Sequence, residues 1–154
     1  MNWEAIGAIG ELIGAVVVIV SVLYLAAQIR QNTEQARIAS LQAVNASNDS
    51  AFNPIYIPEN SVIFSKGQAS FSSLNEHESV VFHMLMARLM ASIDSTSYQY
   101  RQGMVDDEIY EGTLTFYSQF VSSPGGAEWF AANKNFFSAE TAAKLETATR
   151  EGGT

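Results

Sequence analysis

The sequence contains no cysteine, which excludes disulfide bonds, thiolate metal sites and a cysteine nucleophile. Basic residues are scarce as well, with 8 Lys and Arg against 16 Asp and Glu and a formal net charge of −8. They all lie at or after Arg30, where they are scattered singly. A surface that follows nucleic-acid phosphates needs clustered Lys and Arg, so the composition argues against nucleic-acid binding.

The sequence also lacks the usual patterns of catalytic and metal-binding sites. The two histidines, His77 and His83, are six residues apart and do not match the HExxH metal motif. Three acids at 106–108 have no calcium-loop spacing around them, and we interpret them as favourable charges at a helix amino terminus. The sequence SPGG at 123–126 lacks the strand and the lysine of a phosphate loop, so it predicts a turn between helices. We predict no catalytic, cofactor-binding or metal-binding residue.

A long hydrophobic run is present instead. Eighteen consecutive residues between Glu11 and Arg30 carry no charge. A helix rises about 1.5 Å per residue, so roughly 20 apolar residues cross a hydrocarbon core about 30 Å thick. We therefore predict a transmembrane segment over residues 1–29. Two alternatives stay open: a cleaved signal peptide, against which the acidic start MNWEAIGAIGE counts, and a buried helix of a soluble domain.

The flanking residues predict an orientation for this segment. Arg30 and Arg37 follow the run, and no basic residue precedes it. Positive charge favours the cytoplasmic side, so we expect a bacterial inner-membrane protein with a periplasmic amino terminus and a cytoplasmic carboxyl-terminal region. Trp3 and Tyr24 suit the interfacial positions that aromatic residues favour at either end of a span. The lipid bilayer is therefore the first expected partner.

Small residues repeat along one face of the predicted span, at Gly7, Gly10, Gly14 and Ser21. We call these four residues the small-residue stripe. Small side chains let two helix backbones approach closely in lipid, so the stripe predicts contact with another transmembrane helix, from a second copy or from a subunit of a membrane complex. Glu11 projects near the same side. Because a carboxylate among acyl chains costs about 2.5–3.5 kcal/mol, it fits either inside that helix contact or at the outer headgroups.

The remaining sequence predicts an all-α protein. The span continues as a cytoplasmic helical extension over 30–52, and the prolines in NPIYIPEN predict a hinge at 53–58. A small antiparallel helical bundle is predicted over 59–150, followed by a tail at 151–154. No convincing period-two pattern of a strand is present.

Local signals divide the predicted bundle into helices. A short helix is expected to end at Gly67, and the strongest helical pattern follows it. The start of that pattern has capping-box spacing, either Ser73 with Glu76 or Asn75 with Glu78, and Gly103 suits its end. Its expected core face is Phe82, Met86, Leu89, Ile93 and Tyr100, flanked by Leu85 and Met90. On the next helix Ile109, Phe116 and Phe120 are expected to face this one.

A second group of candidate site residues surrounds the sequence YQYRQG: Asp94, Tyr98, Tyr100, Arg101 and Trp129. Asp94 lies within reach of Arg101 or Arg88 on the same helix, so an ion pair inside a buried polar network is expected. Such a network fixes the register of a bundle, and this is the main interpretation. The alternative is a pocket for a small ligand.

Three segments of the chain resemble a family of small, uncharacterised bacterial single-pass membrane proteins. They are NWEAIGAIGELIGAVVVIVSVLYLAAQIRQNT at the start, YQYRQGMVDDEIYEG in the middle and SPGGAEWF near the end. The family often has a second tryptophan where this chain has Phe130, a change that preserves bulk. The resemblance implies an amino-terminal span and a helical cytoplasmic region. It implies no activity, cofactor or catalytic residue.

Two functional hypotheses follow from these observations. The first is a non-catalytic inner-membrane protein, either an accessory or assembly subunit or a self-associating scaffold, which binds through its transmembrane helix and its acidic bundle. The second is a membrane-tethered ligand sensor or enzyme with a pocket near Tyr98, Tyr100, Arg101 and Trp129. The missing catalytic patterns favour binding over catalysis.

Overall fold

The structure is a computed structural model that describes residues 3–151, without the side chains of Ala5 and Glu151. This part of the chain is helical and contains no strand, which confirms the predicted all-α class. The helices are α1 Trp3–Phe52, α2 Pro58–Ala69, α3 Glu76–Arg101, α4 Asp107–Ser122, α5 Pro124–Asn133 and α6 Ala139–Glu151, with short 3₁₀ turns at Asn53–Tyr56, Phe71–Ser73 and Lys134–Phe136. The predicted tail at 151–154 lies outside the described residues after Glu151.

The end of α1 lies where the sequence predicted it. The α-helix stops at Phe52, and a 3₁₀ turn that contains Pro54 leads to Ile57. Pro58 then occupies the first turn of α2, where its missing N–H has no helical acceptor to lose. The two prolines therefore end one helix and start the next.

The chain divides into two compact units within α1, between Ala39 and Ser40, rather than at the predicted hinge. Val44 and Ala51 explain this position, because their side chains are 1% and 2% exposed. The last turns of α1 therefore contribute to the core of the second unit. The residues of 30–52 do not form one separate extension.

The first unit is the amino-terminal part of α1, and its described side chains are all exposed. Each side chain of residues 16–20 is between 52% and 61% exposed, although all five are Val or Ile. By length and composition this helix could span a membrane, and it is the one such helix in the part of the chain that the structure describes.

The core of the second unit lies where α3, α4, α5 and α6 meet. As predicted, α3 buries one long apolar face, which includes Phe82, Leu85, Met86, Leu89, Met90 and Ile93. Tyr100, expected on the same face, is half-buried and stacks on Tyr110 with ring centroids 4.1 Å apart. Trp129 of α5 and Leu145 of α6 close the core, with 0% and 1% exposure.

The buried face of α4 is one residue away from the predicted one. Tyr110, Leu114, Tyr117 and Val121 are buried, whereas Phe116 is 45% exposed. Both sets repeat at helical spacing, so periodicity alone does not separate them. The aromatic rings of Phe116 and of Phe120 instead contact Phe52, where α1 ends.

Both ends of α3 follow the predicted capping signals. The Asn75 side chain accepts a hydrogen bond from the backbone N–H of Glu78, and the Glu78 carboxylate accepts one from the Asn75 N–H, each at 2.9 Å. The carboxylate also accepts a hydrogen bond from Lys66 at 2.7 Å, which lowers the pKa of Glu78 together with the Asn75 contact. Gly103 follows the helix with φ +70°, a conformation that glycine adopts without strain.

Two glycines permit the crossing of α2 and α5. The sequence predicted that Gly67 ends α2, but the helix continues to Ala69. A Cβ at Gly67 would overlap the ring of Phe82, and a Cβ at Gly125 would overlap the carbonyl oxygen of Gly67. Gly67 therefore provides space for a buried ring and a neighbouring helix. The SPGG sequence is a helix start whose first glycine packs directly on another backbone.

Gly125→Ala should destabilise the fold because its Cβ has no room beside the Gly67 backbone. We expect a loss of about 1–3 kcal/mol in the free energy of unfolding, the usual cost of overpacking. Gly112→Ala is the matched control, since Gly112 lies in α4 with no atom within 4 Å of the added Cβ. That change should stabilise the helix by about 0.5–1 kcal/mol. Denaturant unfolding in mild detergent measures both, and equal effects would contradict the glycine contact.

Candidate functional site

The small-residue stripe lies on the exposed amino-terminal part of α1. A Cβ built at Gly7, Gly10 or Gly14 would meet nothing within 4 Å. Ser21 donates its hydroxyl hydrogen to the Val17 carbonyl at 2.8 Å, which removes its donor from the surface. Glu11 is exposed. The face predicted to contact another helix is accessible in this chain.

Asp94 belongs to α3, and its carboxylate contacts the amino terminus of α6 rather than an arginine in an ion pair. Its Oδ1 accepts hydrogen bonds from the hydroxyls of Ser138 and Thr141, at 2.6 and 2.7 Å, and from the Ser138 N–H at 3.3 Å. The Ser138 carbonyl accepts the first helical bond of α6 from Ala142. A carboxylate is favoured here because the helix start presents unpaired N–H groups and the positive end of its dipole.

These contacts lower the pKa of the Asp94 carboxyl and so favour its ionised form. Partial burial raises the pKa of its carboxyl, but the hydrogen bonds from Ser138 and Thr141 and the more distant Arg101 lower it by more, so the net pKa is below its usual value. The carboxylate is therefore ionised at neutral pH. It connects α3 to the start of α6.

The two arginines expected to pair with Asp94 bind other groups, which corrects the predicted network. The Arg88 guanidinium donates to the carbonyl oxygen of Ser50 at 3.0 Å and to its hydroxyl at 2.8 Å. Arg101 lies 3.4 Å from the Glu140 carboxylate. Spacing within α3 suggested the Asp94 pairs, but contacts with other helices provide nearer partners.

The structure does not bring the predicted pocket residues to one place. Tyr98 is 58% exposed, with the Arg101 guanidinium 5.8 Å from its ring centroid. Tyr100 stacks on Tyr110, and hydrogen bonding and charge from Asp107 raise the pKa of its hydroxyl. Trp129 is fully buried in the core. These residues serve separate contacts.

Trp129 donates its indole N–H to Nδ1 of His83 at 3.0 Å. The acceptor nitrogen must therefore be unprotonated, which places the proton of a neutral imidazole on Nε2. The ring of Phe137 also packs near the indole, with centroids 6.2 Å apart. His83, for which the sequence offered no metal motif, accepts the hydrogen bond of the one polar atom of the tryptophan side chain.

Polar side chains attach the last turns of α1 to the bundle, and the sequence prediction missed them. The Asn48 side-chain oxygen accepts hydrogen bonds from Ser92 at 3.0 Å and from the Tyr117 hydroxyl at 2.9 Å. Ser40 donates to the Gln99 side chain at 2.5 Å. Burial raises the pKa of Tyr117, so its phenol stays protonated and can donate. The recurrence of Ser and Asn on one helical face was the available signal.

A groove of about 980 Å³ lies between α4 and α6. Its lining combines hydroxyl groups and the Gln119 amide with two carboxylates and one amine, from Glu111, Glu140 and Lys144. In the described part of the chain, no group of three or more His, Asp or Glu is arranged to hold a metal ion. Within that same part every buried polar side-chain atom has a hydrogen-bond partner. The groove is one of several described surfaces that carry polar groups.

No protein-family model, curated protein or solved structure matches this chain. Function is therefore inferred from its residues and their contacts.

Asp94→Asn should destabilise the bundle at neutral pH by about 1–2 kcal/mol, since the charged acceptor is lost. The folded pKa lies below the unfolded one, so the contribution is complete above 3.8, the ordinary pKa of an aspartate side chain, and disappears as pH falls through the folded pKa. The difference between wild type and variant should therefore shrink as the pH is lowered from 7 to about 2. Unfolding curves at several pH values test this, with exposed Asp49→Asn as the control. A constant difference across that range would contradict it.

Proposed function

We propose that this protein is a single-pass protein of the bacterial inner membrane that acts by binding, as an accessory or assembly subunit or as a self-associating scaffold. One observation carries the proposal: the uncharged run from Leu12 to Ile29 is helical and all of its side chains are exposed. Each fully exposed Val, Leu or Ile side chain forgoes about 1.5–3 kcal/mol relative to burial. Such a surface requires an apolar environment that this chain does not supply.

The length of the run fits a bilayer. Eighteen helical residues extend about 27 Å, close to the thickness of about 30 Å of a hydrocarbon core. Glu11 then stands at one boundary and Arg30 at the other, which favours the headgroup placement of the carboxylate. Trp3 is 70% exposed and Tyr24 is 64% exposed, as side chains that face lipid or headgroups would be.

The orientation follows from the basic residues. Arg30 and Arg37 come directly after the run, so the second unit is assigned to the cytoplasm and the amino terminus to the periplasm. The cytoplasmic part is acidic, which suits the cytoplasmic side of a membrane partner that carries positive charge. Its buried polar atoms are partnered, so its contribution to function is proposed to come from its surface.

A cysteine-free chain allows the orientation to be tested with single cysteines. We expect Glu4→Cys to react with a membrane-impermeant maleimide in cells whose outer membrane is permeabilised. Ser65→Cys, at an exposed position of α2, should react only after the inner membrane is also opened. Wild type, which has no cysteine, gives the background. Labelling of Ser65→Cys before the inner membrane is opened would overturn the assigned orientation.

Self-association through the small-residue stripe is a separate prediction. Gly10→Cys or Gly14→Cys should form disulfide-linked dimers in native membranes after mild oxidation, since the stripe permits close backbone approach. Leu12→Cys is the control because it lies on the opposite face of the helix. Dimers at Leu12 alone, or at none of the three positions, would exclude this homotypic contact and leave the accessory-subunit form of the proposal.

A further inference from the structure

The buried tryptophan of α5 depends on a histidine of α3 for its hydrogen bond. The Trp129 side chain is 0% exposed, and its indole N–H donates to Nδ1 of His83 at 3.0 Å. The indole nitrogen can only donate, so the atom opposite it must be an acceptor. A neutral imidazole is an acceptor at the nitrogen that carries no proton. The contact therefore stabilises the core only while Nδ1 is unprotonated.

A second proton on the imidazole reverses the character of this contact. An imidazolium has an N–H donor at each ring nitrogen and no acceptor, so two N–H groups would face each other across 3.0 Å. Cation–π attraction does not compensate, because Nδ1 lies at the N–H edge of the indole and a cation is attracted to the face of an aromatic ring. Rotation of the half-buried imidazole toward water would leave the indole N–H unpaired in the core.

The charged side chains around this contact have partners of their own. Positions 79, 80, 86 and 87, one turn from His83 on α3, are uncharged, and Glu128 is the one charged residue of α5. The charged groups of α2, α3, α5 and the following segments are held in these pairs: Lys66 with Glu78, Arg88 with Ser50, Glu128 with the Ser72 N–H, and Lys134 with Glu146. Glu59 and His77 are exposed. Carboxylates, ammonium and guanidinium groups ordinarily keep their charge between about pH 5 and pH 8, whereas histidine changes its charge there.

We propose that the contact between His83 and Trp129 is a pH-sensitive switch, which holds α5 against α3 while the imidazole is neutral and loosens α5 when Nδ1 is protonated. The hydrogen-bonded arrangement excludes a proton from Nδ1, whereas the unfolded chain can bind one. The unfolded state therefore binds more protons, so stability falls as the pH falls through the range in which histidine titrates. This switch is independent of the membrane topology and of the helix contact proposed above.

The test compares denaturant unfolding of the full chain in non-ionic detergent at about pH 8 and about pH 5. We expect acidification to increase the equilibrium constant for unfolding by about tenfold, the effect of one buried donor left unpaired. In His83→Gln the amide oxygen can accept the indole N–H and does not titrate, so the constant should change by less than about twofold. His77→Gln removes the exposed histidine and should respond to pH as wild type does. An equal response of wild type and His83→Gln would overturn the switch.

Nuclear magnetic resonance tests the same contact even if His83→Gln fails to fold. The sequence has two histidines and two tryptophans, so His77→Gln leaves one imidazole to titrate and two indole N–H signals. One indole signal should shift with the same midpoint as that imidazole, because Trp129 donates to it. The other belongs to Trp3, which is 70% exposed on α1, and should not follow this titration. Two indole signals that both stay constant while the imidazole titrates would overturn the proposal.

Discussion

The exposed apolar surface of α1 is the constraint on which the rest of the molecule depends. Between Glu11 and Arg30 the helix offers no charge and buries no side chain. Water does not stabilise such a surface, because the hydrophobic effect favours removing it from contact with water. The second unit reflects the opposite condition, since its large side chains Trp129, Tyr117 and Phe82 are fully buried. One chain thus combines an exposed apolar helix with a second unit that has its own hydrophobic core.

The last turns of α1 pack within the second unit through polar as well as apolar contacts. Asn48 accepts hydrogen bonds from α3 and α4 at once, while Val44 and Ala51 supply the apolar contacts one turn away on either side. Hydrogen bonds are directional, so they define one rotation of the helix against its neighbours more strictly than apolar packing does. A buried donor or acceptor left unpaired by another rotation would cost about 1–3 kcal/mol. The polar contacts therefore select a single register.

Signals that act over a few residues predicted structure well here, and contacts between distant residues were not predictable. The capping box at the start of α3 and the helix end near Gly103 depend on neighbouring backbone; the sequence indicated the helix end and left Asn75 with Glu78 as one of two possible boxes, which is the one that forms. Asp94 reaches hydroxyls 44 and 47 positions away, and its expected partners on the same helix were wrong. Gly67 looked like a helix end because glycine weakens helices, whereas its missing side chain admits Phe82. The helix contact through the small-residue stripe and the orientation of the span remain predictions, because the first concerns a partner helix and the second concerns a membrane.

The two tryptophans occupy unlike surroundings. Trp3 is 70% exposed on α1, and Trp129 is buried against the imidazole of His83. Because the sequence contains two tryptophans in total, replacing either one leaves a single indole fluorophore. Emission from Trp3 would then report the polarity around the amino-terminal helix, while emission from Trp129 would report whether the core is intact. The chain therefore carries a separate fluorescent probe for each of its two units without any added dye.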